Sequence, residues 1–318
     1  MIQKWFVGVD GGGSKTAIAV SRGDCIPVAQ MVDTGCSYQS LGIEKAVEIV
    51  CQGILTCLAK ANVPLTECAA CCIGMPCYGE NPAHDETIRA QLQAALAPLP
   101  VYLTNDVEVG WAGASHCTAG IHLVAGTGSI AYGCDRDGHA IRSGGWNEFF
   151  GDEGSCYWLG REGMSLFTKE ADGRLPRGPL YGIVRSAWQL QSDFAFVDKV
   201  LADIAPYRAK VAAFQRYLLQ AAKAGDTAAI ALYARAAKEL ALLAKATKTG
   251  LNFTEGEQVP VTYSGGLFHA EDFILKPLAQ ELQAMNGKLH APRHSAVEGA
   301  LLLAKRQMEK GVNEDVFD

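Results

Sequence analysis

The sequence predicts an α/β fold in which mixed sheets carry helices on their faces. Three β-favouring segments follow one another at the N-terminus, and helices and strands then alternate as far as about residue 115. A second series of strand, glycine-rich turn and strand begins at His122, which indicates a degenerate duplication. The 318 residues are 49% hydrophobic, which is enough for a substantial core in two domains or in one large domain.

Composition and charge exclude several classes of protein. The formal net charge of −6, without a stripe of lysine and arginine, argues against a nucleic-acid partner. The N-terminus lacks a basic segment followed by a short apolar region, so we expect no secretion signal. No apolar run approaches the length of a membrane span, so we expect no membrane partner. The eleven cysteines lie in apolar segments without disulfide-like spacing, which predicts reduced core thiols and a cytoplasmic location.

The first strand ends at Asp10, and a second apolar run, 17–20, begins after a turn rich in glycine. The residues between them are Gly11, Gly12, Gly13, Ser14, Lys15 and Thr16. Glycines let an anion approach the peptide N–H groups, and the hydroxyls and the lysine add donors. At the strand end, Asp10 is placed to face a magnesium ion. The spacing fits neither the dinucleotide-binding nor the Walker pattern, so a phosphate cradle beside a metal and a plain hairpin are the alternatives.

The spacing of apolar residues predicts further strands and helices in the rest of the first half. In order they are a strand at 25–32, a polar loop, a helix at 41–61, a strand at 68–75, a helix at 84–96, a strand at 101–104 and a helix at 107–114. The strand at 68–75 is continuously apolar, which is typical of a buried parallel strand. The cysteines in and after it, Cys68, Cys71, Cys72 and Cys77, therefore predict core packing rather than a metal site.

The second half repeats the opening pattern. Its first strand leads to Gly126, Thr127, Gly128 and Ser129, and another strand follows at 130–134. A mostly helical region covers 154–252, and a strand at 259–263 leads to a third glycine turn, Gly265 and Gly266. An amphipathic helix covers about 294–310. We therefore expect two phosphate-sized turns that are related by the duplication.

The order of these motifs resembles that of the sugar kinase–hsp70–actin superfamily. It consists of Asp-Gly-Gly-Gly-Ser-Lys-Thr, then Gly-Thr-Gly-Ser, then Ser-Gly-Gly at a third strand end. The segments 143–146, 151–158 and 293–296, with Gly299 and Ala300, are similar to N-acetylglucosamine kinase-like members of the BadF/BadG/BcrA/BcrD ATPase family. The resemblance covers essentially the whole chain.

This resemblance implies two ribonuclease H-like α/β domains with an interdomain cleft. The N-terminal domain would comprise 1–115, with the helix at about 294–310 packing back on it, and the larger C-terminal domain would comprise 116–293. ATP would lie in the cleft with Mg²⁺ at Asp10, and a small-molecule sugar would lie beside the γ-phosphate. The implied ATP-binding residues are Gly11, Gly12, Gly13, Ser14, Lys15, Thr16, Gly126, Thr127, Gly128, Ser129, Gly265 and Gly266. A homodimer is compatible with the sequence.

Asp106 is the candidate catalytic residue and also a candidate sugar ligand. It follows a strand and opens a helix, and it matches the family's catalytic aspartate. Phosphorylation of a hydroxyl needs a carboxylate within hydrogen-bond reach of the attacking oxygen. We expect an ordinary pKa near ~4, which suffices if the transition state is loose and the proton leaves late. The alternative role of Asp106 is a helix N-cap, and the nearby Glu108 is compatible with a solvated helix position.

The resemblance also implies sugar-binding residues, namely Tyr38, Asp106, Gly144, Gly145, Trp146 and Asp152. Trp146 fits either an apolar sugar face or the core. The loop 35–40 lacks the family's sugar-binding asparagine, so Ser37, Tyr38 and Gln39 compete for that position. Tyr38 could stack on a sugar face, but its single hydroxyl cannot copy an amide.

The leading hypothesis is an ATP-dependent kinase that phosphorylates N-acetylglucosamine or a related amino sugar or hexose. One alternative is an ATPase that activates a partner enzyme through an iron–sulfur cluster, although Cys117 and Cys134, which flank the second turn, are not in such a setting. The other alternative is a nucleotide-binding sensor without turnover. The presence of both Asp10 and Asp106 argues against the sensor.

Overall fold

The structure is a computed structural model that describes residues 4–310. Contacts divide the chain into two compact units. One unit runs to Thr118 and resumes at Ala291, and the other comprises Ala119–His290. Among the residues described, no helix is both long and apolar enough to cross a membrane.

The first unit is built on a five-stranded sheet. Its elements are β1 (Trp5–Gly11), β2 (Lys15–Ser21), β3 (Pro27–Thr34), α1 (Tyr38–Leu41), α2 (Ile43–Ala61), a 3₁₀ turn (Leu65–Glu67), β4 (Cys68–Met75), α3 (Pro82–Leu96), β5 (Val101–Asn105) and α4 (Asp106–Ser115). The strand order is β3-β2-β1-β4-β5. Strands β1, β4 and β5 are parallel, and β2 is antiparallel to both β1 and β3. The β1–β2 turn and the carboxyl ends of β3, β4 and β5 therefore lie at one edge.

The second unit has the same sheet topology. Its elements are β6 (Gly120–Ala125), β7 (Ser129–Cys134), β8 (Ala140–Gly144), α5 (Cys156–Ala171), α6 (Pro179–Ala187), α7 (Ala195–Lys199) with a π turn (Val200–Ile204), α8 (Arg208–Ala213), α9 (Gln215–Lys223), α10 (Thr227–Thr249), β9 (Val259–Ser264), a 3₁₀ turn (Gly266–Ala270), α11 (Asp272–Gln283) and β10 (Gly287–Leu289). The order β10-β9-β6-β7-β8, with β6 antiparallel to β7 and parallel to β9, matches the first sheet strand for strand. The predicted duplication and the α/β fold class are confirmed.

The helix predicted at 41–61 is interrupted at its start. Gly42 has φ +82°, which ends the short α1 and precedes α2. Side chains alternate along β1, so that Val7 and Val9 pack under α2 and α3, whereas Gly8 faces the opposite side of the sheet. That opposite side is covered by α4 and by α12 (Ala296–Lys310), the last helix described.

Helix α12 approaches its neighbours backbone to backbone. A Cβ atom on Gly299 would lie 2.0 Å from the Val109 carbonyl oxygen of α4, and one on Gly113 would lie 2.1 Å from the Ser295 carbonyl oxygen. On the sheet, a Cβ atom on Gly8 would lie 2.8 Å from the Val297 carbonyl oxygen. Glycine at these positions is therefore what allows α12 to pack against α4 and β1.

We expect Gly299→Ala to destabilise the protein, because the added methyl group must displace helix backbone. The expected loss is about 1–3 kcal/mol of unfolding free energy. Urea denaturation would measure it. The matched control is Gly182→Ala inside α6, where a Cβ atom meets nothing within 4 Å. That variant should gain roughly 0.5–1 kcal/mol from helix propensity. Equal stability of the two variants would contradict the close packing of α4 and α12.

Candidate functional site

The β1–β2 turn presents its glycine backbone to solvent. The Gly12 N–H donates to the Lys15 carbonyl at 2.9 Å, and the Gly12 carbonyl accepts from the Cys36 N–H at 3.0 Å. Gly13 and Ser14 are exposed, and their amides donate to no group within residues 4–310. A Cβ atom on Gly13 would meet nothing within 4 Å. The turn therefore has accessible amide donors and an open face, with the exposed Lys15 beside them.

Thr16 does not belong to this open face. Its side chain is fully buried, and its hydroxyl donates to the Thr34 carbonyl at 2.8 Å. Strand alternation directs Lys15 outward and Thr16 inward. The prediction that Thr16 donates to phosphate is therefore wrong. Gly11 is also inside, because a Cβ atom there would lie 2.5 Å from the Cys36 sulfur.

Asp10 and Asp106 lie at the same edge of the first sheet. Asp10 pairs with Gly74 of β4, Gly74 pairs with Thr104 of β5, and Asp106 is the first residue of α4. The helix N-cap is Asn105, whose side-chain oxygen accepts from the Val107 N–H at 3.2 Å. The N-cap alternative for Asp106 is therefore wrong, and the Asp106 carboxylate is available for another role.

Burial sets the acidity of both carboxyl groups. Burial and, to a smaller extent, the charge of Asp10 raise the pKa of Asp106 to about 7. The pKa of Asp10 is raised to about 6 by burial, after partial compensation by the Lys15 charge. The expected pKa near ~4 for Asp106 is wrong, because that value applies to a solvated carboxyl group. A carboxyl group with a pKa near neutrality is a more effective proton acceptor at pH 7.

The same pair of carboxylates fits a divalent cation. Mg²⁺ commonly takes one or two protein carboxylates and completes its shell with water and phosphate oxygens. Asp10 and Asp106 are desolvated carboxyl groups whose ionised forms a cation would stabilise. Within residues 4–310, no group of three or more His, Cys, Asp or Glu side chains could hold a metal ion by itself. A cation here would therefore depend on ligands from a bound phosphate or water.

The raised pKa of Asp106 predicts a stability that falls as pH rises. The folded state keeps the Asp106 proton up to about pH 7, whereas the unfolded chain releases it near 3.8, so stability is lost between these values. In metal-free buffer, Asp106→Asn should therefore exceed wild type by roughly 2 kcal/mol at pH 8, allowing for partial exposure. Below pH 3.8 the two proteins should coincide, which is the internal control. Urea titrations across this range would measure the difference, and a constant gap would contradict the shift.

The second glycine turn lies between β6 and β7. The Gly126 N–H donates to the Gly128 carbonyl at 2.9 Å, and the Gly126 carbonyl accepts from the Cys156 N–H at 2.9 Å. Thr127 is exposed at the tip, whereas Ser129 is buried. The Ser129 hydroxyl donates to the Glu153 carbonyl at 2.7 Å, so this side chain is directed away from the open face of the turn, and the ATP contact of Ser129 stays a prediction.

A network of ion pairs contacts the second turn through Asp152. Asp152, which is buried with φ +59°, accepts from the Ser129 N–H at 3.2 Å and pairs with the Arg208 guanidinium. The Nε atom of Arg208 lies 3.1 Å from a carboxylate oxygen of Glu148. Arg208 and Glu148 were not predicted from the sequence, because Arg208 is 56 residues from Asp152 and nothing in its helical segment marks it. The oxygen atoms of Asp152 contact protein groups here, and its predicted sugar contact stays a prediction.

A pocket of about 490 Å³ adjoins the second turn. Its lining residues include Gly126 and Thr127 of the turn, Ala209 and Ala212 of α8, Arg216 of α9, and Gly266 and His269. The volume is within the usual range for small-molecule sites. Of the third glycine turn, Gly266 lines the pocket. Gly265 has φ +107°, and a Cβ atom there would lie 2.3 Å from the Ala125 carbonyl oxygen. Glycine at this position therefore allows the backbone to pack closely against Ala125.

The loop after β8 exposes aromatic side chains. Gly144 and Gly145 have φ of +81° and +70°, and the Gly145 N–H donates to the Ser129 carbonyl at 3.0 Å. Trp146 is 73% exposed, so the core alternative for it is wrong. Phe149 and Phe150 are also exposed and were not singled out from the sequence. The Trp146 ring is therefore accessible to a ligand.

Tyr38 is a core residue. Its side chain is 4% exposed, its hydroxyl donates to the Cys77 carbonyl at 3.0 Å, and its ring packs edge-on against His84. The prediction that Tyr38 stacks on a sugar is therefore wrong. Of the competing residues, Gln39 is exposed, and its side-chain amide donates to Glu80 at 3.4 Å.

Glu108 and most of the cysteines lie in the protein interior. Glu108 accepts from the Tyr102 hydroxyl at 3.1 Å and from Thr104, and burial raises its pKa. The interpretation of Glu108 as a solvated residue is wrong, because its neighbours on β5 bind it to the sheet. All eleven cysteines are free thiols, and most of them are buried.

Comparisons with known proteins identify the family. The profile of the BadF/BadG/BcrA/BcrD ATPase family matches residues 7–304. The N-acetylmuramic acid/N-acetylglucosamine kinase of Clostridium acetobutylicum is 27% identical, over 96% of this chain and all of the relative. The N-acetyl-D-glucosamine kinase of Dictyostelium discoideum is 24% identical, over 89% of this chain and 91% of the relative.

A solved structure extends the likeness to the fold. It comes from Chromobacterium violaceum, is provisionally named as an N-acetylglucosamine kinase and is 27% identical. The TM-score is 0.73, with 95% of this chain and 99% of that chain covered. With the family profile spanning both units, the chain belongs to the BadF/BadG/BcrA/BcrD ATPase family.

Proposed function

We propose that this protein is an ATP-dependent kinase that phosphorylates a hydroxyl group of N-acetylglucosamine or a related amino sugar. Two relatives that align over most of their length carry names for this activity. The observation that carries the proposal is the Asp106 carboxyl group, whose pKa of about 7 suits a general base. It lies at the sheet edge that also holds Asp10 and the β1–β2 turn.

The nucleotide contacts are proposed for each unit separately. In the second unit, the adenosine would occupy the pocket beside Gly126, Thr127 and Gly266, since its volume suits a nucleoside. Phosphate oxygens would accept from the exposed backbone of the second turn. In the first unit, the Gly13 and Ser14 amides and the Lys15 ammonium group form a phosphate-binding set.

Asp106 would accept the proton of the attacking hydroxyl group as phosphoryl transfer proceeds. Asp10 would hold Mg²⁺, which would neutralise charge on the phosphates. Lys15 would add a positive charge on the same side of the turn. These roles are positioning and electrostatic, which is what phosphoryl transfer chiefly requires.

For the sugar, the proposal uses the accessible groups. Trp146 would contact an apolar face of the sugar. The backbone conformation of Gly144 and Gly145, both with positive φ, would orient the Trp146 side chain for this contact. Asp152 would contribute if it exchanges a protein partner for a sugar hydroxyl. Gln39 replaces Tyr38 as the candidate for the missing asparagine, because its amide offers both a donor and an acceptor. A cytoplasmic location is proposed from the eleven free thiols.

The test is ADP release from ATP and magnesium with a panel of sugars. N-acetylglucosamine, N-acetylmuramic acid, glucosamine and glucose would be compared by kcat/KM. We expect release that depends on an N-acetylated sugar. ATP binding without release for any sugar would overturn the kinase proposal and favour a sensor. A coloured protein that contains iron and sulfide would favour the activator instead.

A further inference from the structure

We propose that Arg208 binds the phosphates of the nucleotide and supplies the positive charge that the second turn lacks. This proposal rests on the nucleotide site proposed above. It adds a residue that belongs to none of the glycine turns and comes from a helix of the second unit.

Helix α8 contributes to the pocket wall and places Arg208 against the second turn. Arg208 is the first residue of α8, and three later residues of that helix line the pocket wall, namely Ala209, Ala212 and Ala213. The Nη2 atom of Arg208 lies 2.8 Å from the point where a Cβ atom on Gly128 would stand. The guanidinium group is therefore in contact with the turn itself.

Two carboxylates hold the guanidinium group from one side. Glu148 pairs with Nε, and Asp152 pairs with Nη2. The Nη1 atom has no partner within residues 4–310, and the side chain is 44% exposed. Arginine keeps its charge at any physiological pH and presents its N–H groups in a rigid plane. The carboxylates therefore fix the orientation of that plane and leave donors for an anion.

The duplicated topology shows why the second turn needs this charge. In the first unit, β2 begins with the exposed Lys15, immediately after the turn. The equivalent first residue of β7 is Ser129, which is uncharged and buried. The sequence from Gly126 to Ser129 contains no basic residue. Arg208 reaches the same place from a different element, and Arg216 of α9 also lines the pocket beside Gly126 and Thr127, so a cation lies beside each turn.

The experiment compares affinities for ATP, ADP and AMP in the full-length protein by calorimetry. Arg208→Gln removes the charge and keeps a donor for the buried Asp152, and Arg208→Lys keeps the charge without the planar group. Loss of a charged hydrogen bond predicts ATP binding about 10- to 100-fold weaker in Arg208→Gln, a smaller loss for ADP and less than about twofold for AMP. Arg208→Lys should lie between wild type and Arg208→Gln.

Arg235→Met is the control, because Arg235 also pairs with a carboxylate, Glu162 at 2.9 Å, whereas it is Arg208 that lies against Gly128 of the second turn. It should bind all three nucleotides as wild type does. Equal losses for ATP and AMP in Arg208→Gln would assign Arg208 a purely structural role and overturn the proposal. Unchanged ATP affinity would overturn it as well. Failure of wild type to bind ATP is a different result, which would reject the nucleotide site itself.

Discussion

Asp106→Asn is expected to lower kcat by on the order of 10²–10⁴ while changing the affinity for metal-free ATP by less than about twofold. The asparagine keeps the size and hydrogen-bonding shape of the side chain but cannot accept the proton of the sugar hydroxyl group. Asp106 is not the N-cap of α4, since Asn105 has that role, so the helix start should survive. Steady-state kinetics and calorimetric titration of ATP would measure the two quantities.

Asp272→Asn is the matched control for that substitution. Asp272 is also the first residue of a helix, α11, but it is exposed and pairs with Lys276 at 2.7 Å. Its replacement should leave kcat near the wild-type value. Near-normal turnover in Asp106→Asn would show that another group accepts the proton. An equal loss of turnover in both variants would show that a helix-start aspartate matters only for folding.

Gly13→Val is expected to weaken ATP binding by on the order of 10²-fold, because its side chain would occupy the space in front of the Gly13 and Ser14 amides. The substitution is compatible with the fold. A Cβ atom on Gly13 meets nothing within 4 Å, and Gly13 is not among the glycines with positive φ. Gly12 is less suitable, because its Cβ atom would lie 3.1 Å from the Lys15 carbonyl oxygen.

The control for the turn is Gly23→Val. Gly23 lies in the turn that follows β2, and a Cβ atom there also meets nothing within 4 Å. ATP affinity, measured by calorimetry, should be unchanged in this variant. Normal affinity in a folded Gly13→Val protein would show that the β1–β2 turn is a plain hairpin. A similar loss in Gly23→Val would point to a general effect of valine in exposed turns.

Much of the architecture could be predicted from local pattern. The repeated series of strand, glycine turn and strand corresponds to β1–β2 and β6–β7, and the carboxyl-end placement of Asp10 and Asp106 followed from parallel strands. These features depend on the periodicity of apolar residues and on the residue types in the turns, and both can be identified in the sequence. The fold class was predictable for the same reason.

The errors concern side-chain direction and long-range pairing. Thr16 is predicted as a phosphate donor because it is a hydroxyl in a turn motif, yet its side chain is directed inward and donates to a backbone carbonyl. A shift of one residue in the start of a strand moves each of its side chains to the opposite face of the sheet. The sequence pattern does not define that start to within one residue. Arg208 could not be predicted, because its site exists only once α8 lies beside the second turn.

The glycine-mediated packing of α12 has a consequence for the order in which the protein folds during synthesis. The first unit contains α12, yet residues 119–290 must be translated before that helix leaves the ribosome. Until then, the sheet face around Gly8 lacks the backbone that will lie against it, including the Leu301 N–H position 2.8 Å from a Cβ atom on Gly8. The second unit is a continuous segment of the chain, so it can complete its core first. The first unit, which is formed from two segments, completes its folding only after α12 has been synthesised.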